Sequence, residues 1–127
     1  MTTLTQKERE TVLILFKEYT TYYNANSISK FLNISHVGAQ KIFKRLLKEN
    51  VLISKTIGKS ITYKLNFSND YVNNLVEFLL ADEANNFKRW KEEFKELFKK
   101  DRIIMLFGSS IKDYAHAKDI DLLVVIR

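Results

Sequence analysis

The sequence predicts an α+β chain, and three observations predict it. Apolar residues recur at helical spacing through the first fifty positions. Two short β-type runs then flank Gly58, as in a hairpin. After a second long helical stretch the period changes again, to two runs rich in Ile, Leu and Val. These changes divide the chain into residues 1–67, 68–101 and 102–127.

The first helix is predicted to start at Thr5, because Thr5 and Glu8 have the spacing of a capping box. Val12, Leu13, Leu15, Phe16 and Tyr19 then form its apolar stripe. Residues 20–26 read as a turn, with Ser27 as the N-cap of a short second helix that points Ile28, Phe31 and Leu32 inward. Asn33-Ile34 makes a tight break, and Ser35 is a good N-cap for a third helix. In that helix Ala39, Ile42, Phe43, Leu46 and Leu47 recur at i, i+3, i+4, i+7 and i+8. Asn50 falls where a left-handed residue ends the helix.

The hairpin joins Val51–Lys55 to Ile61–Leu65. From Asp70 to about Lys100 the pattern is helical, unbroken or interrupted near Ala81–Ala84. Its stripe of Val72, Leu75, Val76, Leu79, Phe87, Trp90, Phe94, Leu97 and Phe98 is longer than the preceding module can cover. It needs a further partner: a second copy of the chain, or the strands that follow. Those strands are Arg102–Phe107 and Ile120–Ile126, separated by a polar segment that begins Gly108-Ser109-Ser110.

Composition and charge narrow the functional classes. Of 127 residues, 46% are hydrophobic and 28% charged, the balance of a folded chain. The absence of cysteine excludes disulfides, thiolate metal sites and cysteine nucleophiles. No apolar run approaches a membrane span and no signal peptide is evident, so a cytoplasmic protein is expected. The net charge of +6 is unevenly placed: residues 1–67 hold 11 Lys and Arg against 4 Asp and Glu, whereas the rest is nearly balanced. That asymmetry suggests a polyanionic partner for the first part alone, although a solvated lysine-rich surface has the same composition.

The order helix, helix, tight turn, helix, hairpin, and the stretch SISKFLNISHVGAQKIFKRLLKENVLI within it, resemble prokaryotic winged helix-turn-helix transcriptional regulators over residues 5–67. The resemblance implies a dimeric regulator that places its third helix in the major groove of DNA. The outer face of that helix suits the role. His36, Val37, Gln40 and Lys41 lie nearest its N-terminal end, where base contacts are expected, and the cap Ser35 is counted among the DNA-binding residues. Lys44, Arg45 and Lys48 suit phosphates, and the hairpin adds Lys55, Lys59 and Ser60. The resemblance also implies that the long helix is a dimer contact. The alternatives are an ordinary exposed His36, a solubilising lysine face, and a module that binds structured RNA or a protein.

The C-terminal stretch brings a second resemblance. Leu106-Phe107-Gly108-Ser109 and Asp119-Ile120-Asp121, nine residues after Ser109, look like the opening of a polymerase-β-type nucleotidyltransferase over residues 103–127. In that family two carboxylates on one strand face hold Mg²⁺ against a triphosphate. The resemblance implies Asp119 and Asp121 as metal ligands and catalytic groups, and Gly108 and Ser109 at a phosphate. Two departures stand against it. Ser110-Ile111-Lys112-Asp113 replaces the usual Arg-Ala-x-Gly, and the family's third carboxylate lies on a later strand. The expectation is therefore no catalysis and no cofactor in this form, the stretch being either a truncated enzyme domain or a remnant.

Overall fold

A computed structural model describes residues 3–112, 116 and 118–126. The chain divides into two units, Met1–Leu80 and Ala81–Arg127.

Helix α1 (Gln6–Lys17) starts where the capping box places it. Thr5 N–H donates to Glu8 Oε1 at 2.9 Å, and Glu8 N–H donates back to Thr5 Oγ1 at 3.2 Å. Val12 and Leu15 are buried, but the helix ends before Tyr19, which is exposed.

Helix α2 (Ala25–Leu32) starts three residues earlier than expected. Asn24, not Ser27, is its N-cap. Asn24 Oδ1 accepts from Ser27 N–H at 2.8 Å, while Ser27 Oγ accepts from Asn24 N–H at 2.9 Å. Ser27 is thus the reciprocal partner three positions in, a place filled by Glu or Gln in the commoner box. This register turns Ile28 and Leu32 into the core and leaves Phe31 exposed, with its ring edge-on to Tyr23.

Asn33, at φ 55°, makes the tight turn into α3 (His36–Lys48), which Ser35 caps by accepting from Gly38 N–H at 2.9 Å. Ala39, Phe43 and Leu46 are fully buried. Leu47, expected inside, is partly exposed, so the buried stripe is narrower than the sequence suggests. Asn50 closes the helix at φ 61°.

Strands β1 (Leu52–Ile57) and β2 (Ser60–Leu65) form an antiparallel hairpin running from Leu52 opposite Leu65 to Ile57 opposite Ser60. The two-residue turn is Gly58-Lys59, with Gly58 at φ 61°, a backbone conformation that tight hairpin turns require. Tyr23 adds a third backbone pairing to this sheet by accepting from Tyr63 N–H at 2.9 Å. The Tyr63 ring stacks on Phe43 with centroids 4.1 Å apart, which fixes the hairpin against α3.

The long helix is not continuous. Helix α4 spans Asp70–Asn85, a break follows at Asn86-Phe87, and α5 (Lys88–Glu93) leads into a 3₁₀ turn at Lys95–Leu97. Asn85 and Asn86 are weak helix formers, and the last turn tightens as Asn86 N–H donates to Glu83 O at 3.1 Å and Phe87 N–H to Ala84 O at 3.0 Å. Val72, Val76 and Leu79 join the core made by the first three helices and the hairpin. The first half of the stripe is therefore satisfied within the first unit.

In the second unit, β3 (Arg102–Phe107) pairs antiparallel with β4 (Asp121–Ile126), from Arg102 opposite Ile126 to Phe107 opposite Asp121. A single short turn of helix, α6 (Ser109–Lys112), follows β3.

Candidate nucleic-acid interface

The third helix is held so that one face is committed to the core and the other is free for a ligand. Phe43, stacked on Tyr63, and Leu46 anchor the inner face. His36, Val37, Gln40, Lys41, Lys44 and Lys48 are all exposed, and their spacing puts them on the opposite face. No carboxylate interrupts α3. Among the described residues, Lys41, Lys44 and Lys48 take part in no ion pair, and neither do Lys55 and Lys59 of the hairpin. Among the described residues no carboxylate pairs with them. Near the start of the helix, the Gln40 side-chain amide lies 3.0 Å from His36 Nε2, one turn apart. A hydrogen bond there needs the tautomer with its proton on Nδ1.

Ser35, Arg45 and Ser60, also assigned to nucleic acid by sequence, have partners on other parts of the protein or at the helix cap. The Ser35 hydroxyl caps α3. Ser60 Oγ accepts from Asn24 Nδ2 at 2.9 Å, tying the N-terminus of α2 to the hairpin turn. Arg45 does not join the lysine face. Its guanidinium pairs with Glu8, whose side chain is 3% exposed, and Arg45 Nη2 also donates to Thr3 O at 3.3 Å. This pair crosses from α3 to α1. One Glu8 carboxylate thus closes the capping box of one helix and anchors another.

Asn24 was missed as the residue that joins α2 to the hairpin. The signal that finds it is the Asn-x-x-Ser spacing of Asn24 and Ser27, a capping box with serine in place of the usual acid. Glu8 was recognised as a cap, but its second partner lies 37 residues away and has no local signature.

At the C-terminal motif the structure brings Gly108 and Asp121 together. Gly108, at φ 81°, lies so close to the Asp121 carboxylate that a β-carbon would collide with it. Asp119 is exposed and lies two residues before β4, which begins at Asp121, so the two carboxylates do not share one strand as expected. The Ser109 side chain lies outside the described part of the structure. Among the described residues no group of three or more His, Asp or Glu is placed to hold a metal ion. Among the described residues, Asp119 and Asp121, one of them off the strand, do not by themselves complete a Mg²⁺ site. Nor is any described helix long and apolar enough to cross a membrane.

No protein-family model matches the sequence, and no curated protein matches it. Solved structures do. The adhesin competence repressor AdcR of Streptococcus pyogenes is similar with a TM-score of 0.58 at 13% identity, covering 87% of this chain and 73% of its own. A cysteine-to-serine mutant of ZitR from Lactococcus lactis gives 0.59 at 14% identity, covering 79% and 66%. A phenylalanine-to-leucine mutant of MepR from Staphylococcus aureus, solved bound to an oligodeoxyribonucleotide, gives 0.56 at 14%, covering 76% and 67%. MepR is a transcription regulator of the multidrug efflux pump MepA. These neighbours lend no support to a nucleotidyltransferase at the C-terminus. At these identities the likeness establishes a fold, and the fold of this chain is the winged helix-turn-helix of those transcription regulators.

Proposed function

We propose that this chain is a cytoplasmic DNA-binding transcriptional regulator that acts as a homodimer, with the outer face of α3 in the major groove. One observation carries the reading: α3 presents Lys41, Lys44 and Lys48 on an exposed face that holds no carboxylate, and among the described residues no ion pair offsets them. Such a face is an electrostatic footprint for phosphates. His36, Val37 and Gln40, nearest the N-terminus of the helix, are the base-reading candidates. Val suits a thymine methyl and Gln suits adenine. Lys55 and Lys59 on the hairpin add backbone contacts. Arg45 and Ser60 position the interface through Glu8 and Asn24. The fold is shared with a regulator solved on an oligodeoxyribonucleotide, which supports DNA over RNA or a protein partner.

The test is binding of the purified chain to random duplex DNA across a salt series. Affinity should fall steeply as salt rises, and Lys41→Ala or Lys44→Ala should each lower the slope by about one unit. Binding that is absent at low salt, or unchanged by both substitutions, would refute the reading.

A second reading rests on a different observation, the meeting of Gly108 and Asp121 at the end of the β3–β4 hairpin. It makes the stretch part of a nucleotidyltransferase acting with Mg²⁺ on a nucleic-acid or protein substrate. Its distinguishing sign is Mg²⁺-dependent nucleotide binding that Asp121→Asn abolishes.

A further inference from the structure

The β3–β4 hairpin carries apolar residues on both faces, with Arg102 at one end of one face and Asp121 at one end of the other. Along one face, Ile104, Leu106, Leu122 and Val124 are half-buried. Along the other, Ile103 pairs with Val125 and Met105 with Leu123, and these four residues are between 43% and 60% exposed. Phe107, 50% exposed, extends the same row. Among the described residues of these strands, the only charged side chain in this row is Asp121, opposite Phe107 at one end. A two-stranded sheet of this kind is marginal in water unless a further layer covers its apolar face.

We propose that a second copy of this chain supplies that layer: two hairpins pack through the face of Ile103, Met105, Leu123 and Val125 into a four-stranded, two-fold sandwich. This rests on the homodimer part of the proposed function and names its surface. Three features favour a second copy. At on the order of 200 Å² for a fully exposed large side chain, the row presents about 500 Å². Two copies then contribute about 1,000 Å² before flanking segments are counted, the lower bound for a specific association. The face is also self-complementary, because it is apolar and uncharged along its middle. Finally, a two-fold axis perpendicular to the strands sends the two Asp121 carboxylates to opposite ends, so no like charges meet. Edge-to-edge pairing of strands would leave the exposed face uncovered.

The experiment is sedimentation of the full chain together with site-directed cross-linking. Wild type should sediment as a dimer, and Met105→Lys combined with Leu123→Lys should weaken association at least tenfold. The chain has no cysteine, so Met105→Cys introduces a single thiol. Facing sheets lie about 10 Å apart and Met105 sits at the middle of the row, so a short bismaleimide should join two Met105→Cys chains. A Lys59→Cys chain should stay unjoined. If the double lysine variant fails to fold, the cross-link decides alone. A monomeric wild type, or a dimer that gives no Met105 cross-link, overturns the proposal. In the latter case a homodimer stands on another surface. DNA binding is measured separately, so its loss refutes the regulator reading without touching this one.

Discussion

The two units of the chain handle their apolar residues in opposite ways. Every residue of the buried core cluster lies between Leu4 and Leu79. In the second unit Trp90 is the one large hydrophobic buried among the described residues, while Ile103, Met105, Leu123, Val125 and Ile126 remain exposed. Local regularity does not explain the difference, since β3–β4 and β1–β2 are hairpins of equal strand length. What differs is covering. The β1–β2 hairpin has Leu52 and Leu65 in the core and Tyr63 stacked on Phe43. The exposed isoleucines of β1–β2, Ile53, Ile57 and Ile61, are interspersed with polar residues, whereas β3–β4 exposes Ile103, Met105, Leu123 and Val125 side by side on one face. A strand pattern in sequence therefore says that a face must be covered, and not by what.

The largest effect that would break this contrast is at Phe43. Its side chain is fully buried and stacked on Tyr63, so Phe43→Ala removes both core volume and the anchor of the hairpin. The expected cost is about 3–5 kcal/mol, read as a lowered denaturation midpoint. A change under about 1 kcal/mol would mean that the first unit is not organised around α3.

A smaller effect is expected at the link between α1 and α3. Arg45→Ala leaves the buried Glu8 carboxylate without its cation. Breaking a buried pair costs about 3–5 kcal/mol, and because the Arg45 side chain is 30% exposed, about 2–3 kcal/mol is the better expectation. Glu8→Gln should cost less, since the part-exposed Arg45 guanidinium keeps its bond to Thr3 O and is reached by water. Denaturant titration of the two variants checks the order. The reverse order would mean that the Glu8 cap on α1 matters more than the ion pair.

How much of this was legible in the sequence depends on the range of each interaction. The Thr5–Glu8 box, the Ser35 cap, the left-handed Asn50 and the Gly58 turn were readable because each is settled within four residues. The start of α2 is harder to read because Asn24 and Ser27 both satisfy a cap rule, and the box that decides for Asn24 has serine where the commoner box has an acid. Phe31 and Leu47 have core-like spacing but sit at the margins of their stripes, where only packing decides. The long helical stretch reads as unbroken or interrupted near Ala81–Ala84, and the break falls slightly later, at Asn86-Phe87, because the apolar period continues past Asn85 and the asparagines weigh little in a periodic count. On α3 the lysine face was visible from spacing. Arg45 was read with the lysines, since a basic residue four places from another looks the same whether it faces solvent or a carboxylate.

The smallest effect sharpens the contrast between the hairpins. Amide exchange reports local opening, and amides in the β3–β4 ladder should exchange through openings far cheaper than those in α3 around Phe43. If the bare face is covered by a second copy, exchange in β3–β4 first requires dissociation. Its rate then follows the square root of the dissociation constant divided by the chain concentration. A tenfold rise in concentration should slow it about threefold, or about 0.7 kcal/mol per chain. Exchange around Phe43 should not change, because that core is complete within one chain. Equal slowing in both units would mean that folding of the first unit is itself coupled to association, and the contrast between the hairpins would fail.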